Sequence, residues 1–153
     1  TDFQCPYCAR AADLLHQVAD AHLETVKLVF KNFPLRSHPL ARPAAAAALA
    51  AQRHGKFWEF HDRLFAERGR LNSEKIDQIA ASLGFEEKAF AQEVSDPEIQ
   101  ARIEKDYRDG LEAGVQGTPT IFVNGRLLQE RSLKGFEQAI ARALSRQEGR
   151  GEN

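Results

Sequence analysis

The chain has 153 residues, is 42% hydrophobic and 28% charged, and carries a formal net charge of -1 at pH 7. That length is enough for one domain with its own hydrophobic core, and the balanced charge leaves neither a basic footprint for nucleic acid nor an acidic tail. No apolar run approaches the roughly 20 residues that span a bilayer, and the first residues do not read as a signal or transit peptide. The chain starts at Thr1 and contains no methionine. From this we expect that residues once preceded it, taking any compartment signal with them, and that membrane association would need an upstream anchor.

The first motif is FQCPYC, which holds both cysteines of the chain, Cys5 and Cys8. Behind it, Ala11, Leu14, Leu15, Val18 and Leu23 fall near helical spacing, so the motif opens a helix, with Pro6 at the first position where no hydrogen bond is lost. Val26–Phe33 alternates Val26, Leu28 and Phe30 against Lys27, Val29 and Lys31 and is closed by Pro34, the pattern of a strand. Ala44–Ala51 has the strongest helical propensity, with Pro43 near its start and Gly55 after its end. Lys56–Phe65 places Phe57, Phe60 and Leu64 on one helical face with Trp58 and Phe65 beside it, and we assign Phe57, Trp58 and Phe60 to the core. Ile76, Ile79, Ala80 and Leu83 repeat that spacing, and Asp96-Pro97 signals a further helix toward Leu111. From about Pro39 to Gly114 the pattern is helical throughout.

Thr118–Gln129 then carries a short β-rich run, an Asn124-Gly125 turn suited to a two-residue hairpin, and a second short strand. Ser132 precedes Leu133, Phe136, Ile140 and Leu144, a terminal amphipathic helix. The last residues are polar and expected to fray.

Two cysteines at i and i+3 across a helix start admit three readings. In the first they are a redox pair, one sulfur stabilised as a thiolate at the positive end of the helix dipole and the other in reach to close a disulfide. In the second they are half a zinc site, which His16, His22, His38, His54 and His61 would have to complete without tight ligand spacing. In the third they are a buried pair without a role, disfavoured because Pro6 and Tyr7 mark an exposed helix start. Only the redox reading asks for something elsewhere: bare backbone beside the reactive sulfur to hold an extended substrate, as a cis X-Pro bond before a strand would offer. Thr118-Pro119 fits that need, although Pro119 also reads as an ordinary loop proline.

With TDFQCPYC, FKNFPLRSHPLA, GKFWEFHDRLF and GVQGTPTIFVNG in this order and spacing, the chain resembles the DsbA-like thioredoxin-fold family of thiol–disulfide oxidoreductases over nearly its whole length. The resemblance implies an α/β thioredoxin-like fold in one domain over residues 1–148, with a helical insertion at about 39–114 and a polar tail at 149–153. It implies that Cys5 is the exposed nucleophile, that Cys8 resolves, and that Thr118 and Pro119 form a cis-proline substrate loop, with Pro6 and Tyr7 on the substrate side. It also implies cysteine-containing protein substrates, a redox partner that recharges the pair, no metal, no cofactor beyond the Cys5–Cys8 disulfide, and a periplasmic or otherwise extracytoplasmic location. A reductase or isomerase would use the same residues, and a thioredoxin fold kept only for peptide or zinc binding is the reading from another class.

Two departures stand out. Tyr7 replaces the histidine of the family's best-known strong oxidant, which bears on how oxidising the pair is. The central strand of a thioredoxin sheet runs directly before the cysteine helix, yet only Thr1–Gln4 precede Cys5. We therefore expect upstream residues or a neighbouring molecule to supply its pairing. Lys31 and Asp2 are the candidates for a buried acid or base, with neither assigned, and His38 reads as a loop histidine before a helix, the alternative being a place near the site.

Overall fold

The computed structural model describes residues 1–148, so the polar tail expected at 149–153 lies outside the described residues. In chain order the elements are α1 (Pro6–Ala21), α2 (Ala41–Gln52), α3 (Phe57–Ala66), α4 (Ser73–Ser82), α5 (Glu87–Val94), α6 (Pro97–Glu112), β1 (Phe122–Val123), β2 (Arg126–Leu127) and α7 (Leu133–Glu148), with a 3-10 turn at Arg68–Arg70. They divide into two compact units, one made of Thr1–Ala9 and Phe30–Thr118, the other of Arg10–Val29 and the described residues from Pro119 onward.

The first unit is built around α2. Its residues from Ala44 to Ala51 are all buried, and α3, α4, α5 and α6 all pack against it. A helix that is apolar on every side has to be covered on every side, and alanine permits close approach at no side-chain entropy cost. On α3, Phe60, His61, Leu64 and Phe65 are buried, while Phe57 is half-buried and Trp58 is 38% exposed. The assignment of Trp58 to the core is thus corrected. The buried stripe runs through 57, 61 and 65 as well as 60 and 64, which leaves position 58 at its edge. His61 instead lies among the rings of Phe3, Phe30, Phe57, Trp58 and Phe65, with centroids 4.8 to 6.0 Å away.

Helix α6 starts as its sequence suggests, with the Asp96 carboxylate accepting from the Glu98 amide and Pro97 at the first turn. Nearly two turns from its end, the buried Asp106 carboxylate accepts from Lys31 Nζ at 2.9 Å, from Asn32 N and Nδ2 at 3.1 and 3.2 Å, and from Arg102 Nε at 3.3 Å. A buried carboxylate is tolerable only with such donors, and here they fasten Lys31–Asn32 to the helix. Phe33 follows, stacked on Tyr107 at 4.6 Å.

Val26–Phe33 is not a strand, contrary to its sequence pattern. Its side chains do alternate between half-buried and exposed from Val26 to Lys31, as an extended segment requires. The ladder is what is lacking. Among the described residues its cross-chain backbone bonds are those of Thr1, whose N–H donates to the Lys31 carbonyl at 3.0 Å and whose carbonyl accepts from Phe33 N at 2.7 Å. Alternation is local, whereas a strand also needs a partner for every second residue.

In the second unit, Val18 of α1 forms a small core with Leu128, Phe136 and Ile140, and Leu14, Leu15, Val26, Ile121, Ala139 and Leu144 pack around it. The hairpin forms as expected: Phe122 pairs with Leu127 and Val123 with Arg126, antiparallel, and Leu128 N donates to the Ile121 carbonyl beyond them. Asn124 and Gly125 both take positive φ, 46° and 76°, the backbone of a type I′ turn. Ser132 caps α7, its hydroxyl accepting from Gly135 N at 3.1 Å.

Gly110 of α6 offers a test of how tightly Phe33 is held. Alanine is the better helix former by roughly 1 kcal/mol, but a Cβ there would stand 2.6 Å from Cδ2 of the buried Phe33 ring. Overpacking should win, and Gly110→Ala should lower stability by about 1–3 kcal/mol. A denaturant midpoint equal to or above that of the parent protein would show that Phe33 is free to move.

Candidate active site

Cys5 stands immediately before the first residue of α1, and its carbonyl accepts from Cys8 N at 3.1 Å and Ala9 N at 3.3 Å. The cysteine pair therefore occupies the first turn, where unpaired amides concentrate the positive end of the helix dipole. Pro6 and Tyr7 face outward, Tyr7 being 61% exposed, as an exposed helix start requires. The sulfurs do not. Cys5 is 3% exposed and Cys8 1%, both as free thiols. The exposed nucleophile expected at position 5 is thus corrected: its S–H is turned inward and donates to the Thr118 carbonyl at 3.4 Å.

Cys8 is held protonated by its surroundings. Burial pushes its thiol up from 9.0 to about 12, because a thiolate there would lose its hydration. Chief among the groups that work against this rise are the Thr118 hydroxyl and the backbone N–H of Asp2, with the N-terminal ammonium a smaller one. The Thr118 Oγ1 is itself buried and makes no aligned hydrogen bond among the described residues, and its presence lowers the Cys8 pKa.

Thr118 thus touches the pair through both its carbonyl and its hydroxyl. The Thr118 carbonyl is the one joined to Pro119. Pro119 is buried, and its own carbonyl accepts from Arg131 at 2.8 Å.

Of the two candidates for a buried acid or base, Lys31 is committed elsewhere: it bridges Asp106 and Asp109, and those bonds raise its pKa. Asp2 is buried, with its carboxylate accepting from Gln4 N at 2.7 Å and from Leu35 N and His38 Nδ1 at 2.8 Å each. Its carbonyl accepts from Cys5 N at 3.2 Å. His38 is therefore more than a loop histidine, since its partner is bonded to the cysteine motif. No short spacing reveals this link, because Asp2 and His38 lie 36 positions apart.

A family model described as Thioredoxin matches residues 1–142. The chain belongs to the thioredoxin family. A thioredoxin-like oxidoreductase from Silicibacter pomeroyi DSS-3 shares 29% identity with this family member and superposes with a TM-score of 0.86, covering 95% of this chain and 83% of that one. The thiol-disulfide exchange protein alpha-DsbA2 from Wolbachia pipientis, at 22% identity, superposes with a TM-score of 0.83 over 94% of this chain and 78% of its own. The fold is thus thioredoxin-like and of the DsbA type, mostly helical with a small sheet. Among curated proteins, the Na(+)/H(+) antiporter NhaA 1 of Salinispora arenicola is 36% identical over 126 residues, 82% of this chain and 19% of its own length. This thioredoxin-family chain therefore spans about a fifth of the curated relatives it matches.

The burial of Cys8 is open to direct measurement. In Cys5→Ser protein the remaining thiol should be a thiolate in only about one molecule in a thousand at pH 9, against most molecules for a free thiol of pKa about 8.5. Alkylation by a small haloacetamide should rise roughly tenfold per pH unit across the accessible range. A midpoint near the free-thiol value would contradict the buried geometry.

Proposed function

We propose that the protein is a thiol–disulfide oxidoreductase that passes its Cys5–Cys8 disulfide to cysteines of protein substrates. The observation that carries this reading is the placement of both sulfurs on the first turn of α1, with Cys5 Sγ 3.4 Å from the Thr118 carbonyl. An acceptor beside the nucleophile supports an extended substrate backbone running there, and Pro119 adds no competing N–H next to it.

In the oxidising direction a substrate thiolate attacks Cys5 Sγ, the Cys5–Cys8 bond breaks, and Cys8 departs and takes up a proton. A second substrate thiolate then attacks the substrate sulfur of the mixed disulfide and expels Cys5 as thiolate. Two electrons move from the substrate to the pair, and a redox partner with a more oxidising disulfide or quinone recharges it.

The protonation of Cys8 favours that outcome. Resolution by Cys8 would release the substrate still reduced, but a thiol of pKa about 12 is an anion in only about one molecule in 10⁵ at pH 7. The mixed disulfide then persists long enough for the substrate's own second thiol to complete the transfer. Such an activity suits a periplasmic or other extracytoplasmic setting, where disulfides last.

Equilibration against glutathione tests the direction. An oxidant should give a reduction potential less negative than about -200 mV, and a value more negative than about -250 mV would assign the same site to a reductase. Cys5→Ser should abolish oxidative refolding of a reduced substrate protein. Substituting Pro119 by alanine should slow exchange or product release without unfolding the protein, and unchanged exchange would make it a loop proline.

A further inference from the structure

Asp2 uses every polar group it has. Its carboxylate, wholly buried, takes the Gln4 and Leu35 amides and the His38 imidazole, and its carbonyl takes the Cys5 amide. Its own N–H lies against the Cys8 sulfur. One residue therefore contacts both cysteines through its main chain, while its side chain is pinned to the segment that leads into α2. The neighbouring Gln4 repeats the tie, its side-chain carbonyl accepting from Leu40 N. A main-chain amide can stabilise an anion only if it cannot swing away, and a carboxylate with three donors is a stiff hinge pin for the amide beside it.

We infer that Asp2, anchored by His38, is a positioning residue for the cysteine pair: the Asp2–His38 contact fixes the amide that meets the Cys8 sulfur and the carbonyl that meets the Cys5 amide. This rests on the exchange reading above for its use, since that amide would steady Cys8 as it leaves the disulfide. The device does not touch the substrate. Two of its donors are main-chain groups that no substitution removes, whereas His38 is partly exposed, with 26% of its side chain accessible. It is therefore the part of the device that can be changed with least damage to the fold.

The test uses Cys5→Ser protein, where Cys8 is the lone thiol, so that its chemistry is read without any exchange reaction. Adding His38→Ala should slow alkylation of Cys8 at pH 9 by about fivefold, the scale of one weakened hydrogen bond to a sulfur anion, and shift its ultraviolet thiolate titration upward. His38→Asn, which keeps a donor near the Nδ1 position, should restore the rate to within about twofold. Asp2→Asn, which leaves the shape but loosens the anchor, should slow the reaction as His38→Ala does. A purely structural role predicts the opposite sign, because a loosened segment uncovers Cys8 and speeds its alkylation. Faster or unchanged alkylation in His38→Ala, or no rescue by asparagine, overturns the inference. A parent protein that fails to equilibrate with glutathione overturns the exchange reading alone and leaves this result standing.

Discussion

A single contact, from the Cys5 sulfur to the Thr118 carbonyl, closes 113 residues of chain onto the start of α1. The entropy lost in closing so long a loop grows only slowly with its length, so what decides whether the contact persists is the order of the chain in between. From α2 to α6 that chain is a stack of helices around α2, whose alanines leave no side chain to rearrange. The geometry at the cysteines therefore depends on packing far from them.

Two effects compete at the first turn of α1. The helix terminus favours an anion there by about 0.3–1 kcal/mol, up to about 2 in a partly buried setting. Burial acts the other way on Cys8, and a rise from 9.0 to about 12 corresponds to about 4 kcal/mol. Desolvation wins at Cys8, even with the Thr118 hydroxyl and the Asp2 amide opposing it. The second cysteine is thereby a proton-bearing group and a weak nucleophile.

The stretch from Lys31 to His38 is held by two buried carboxylates instead of a β-ladder. Asp106 takes Lys31 and both nitrogens of Asn32, and Asp2 takes Leu35 and His38. Between them Thr1 bonds to Lys31 and Phe33. An extended segment tied at fixed points by charge-assisted bonds keeps its course where a strand would need continuous pairing. Helix α6 thus reaches the cysteine motif through Asp106, the Lys31–Phe33 segment and Thr1.

Much of this could be read along the chain, because it arises between residues a turn or a hairpin apart. The start of α1 at Pro6, the caps at Asp96 and Ser132, the alanine helix and the Asn124-Gly125 turn all follow from local spacing and backbone preference. So does the pairing of two thiols on one helical turn. The state of Val26–Phe33 does not, because alternation is a property of one segment and a ladder a property of two. Nor do the replacement of Trp58 by His61 in the α3 core, the burial of Cys5 within two residues of an outward Tyr7, or the tie from Asp2 to His38. Each of these is settled by a neighbour dozens of residues away, since desolvation and hydrogen-bond partnership belong to the space a side chain occupies and leave no period in the sequence.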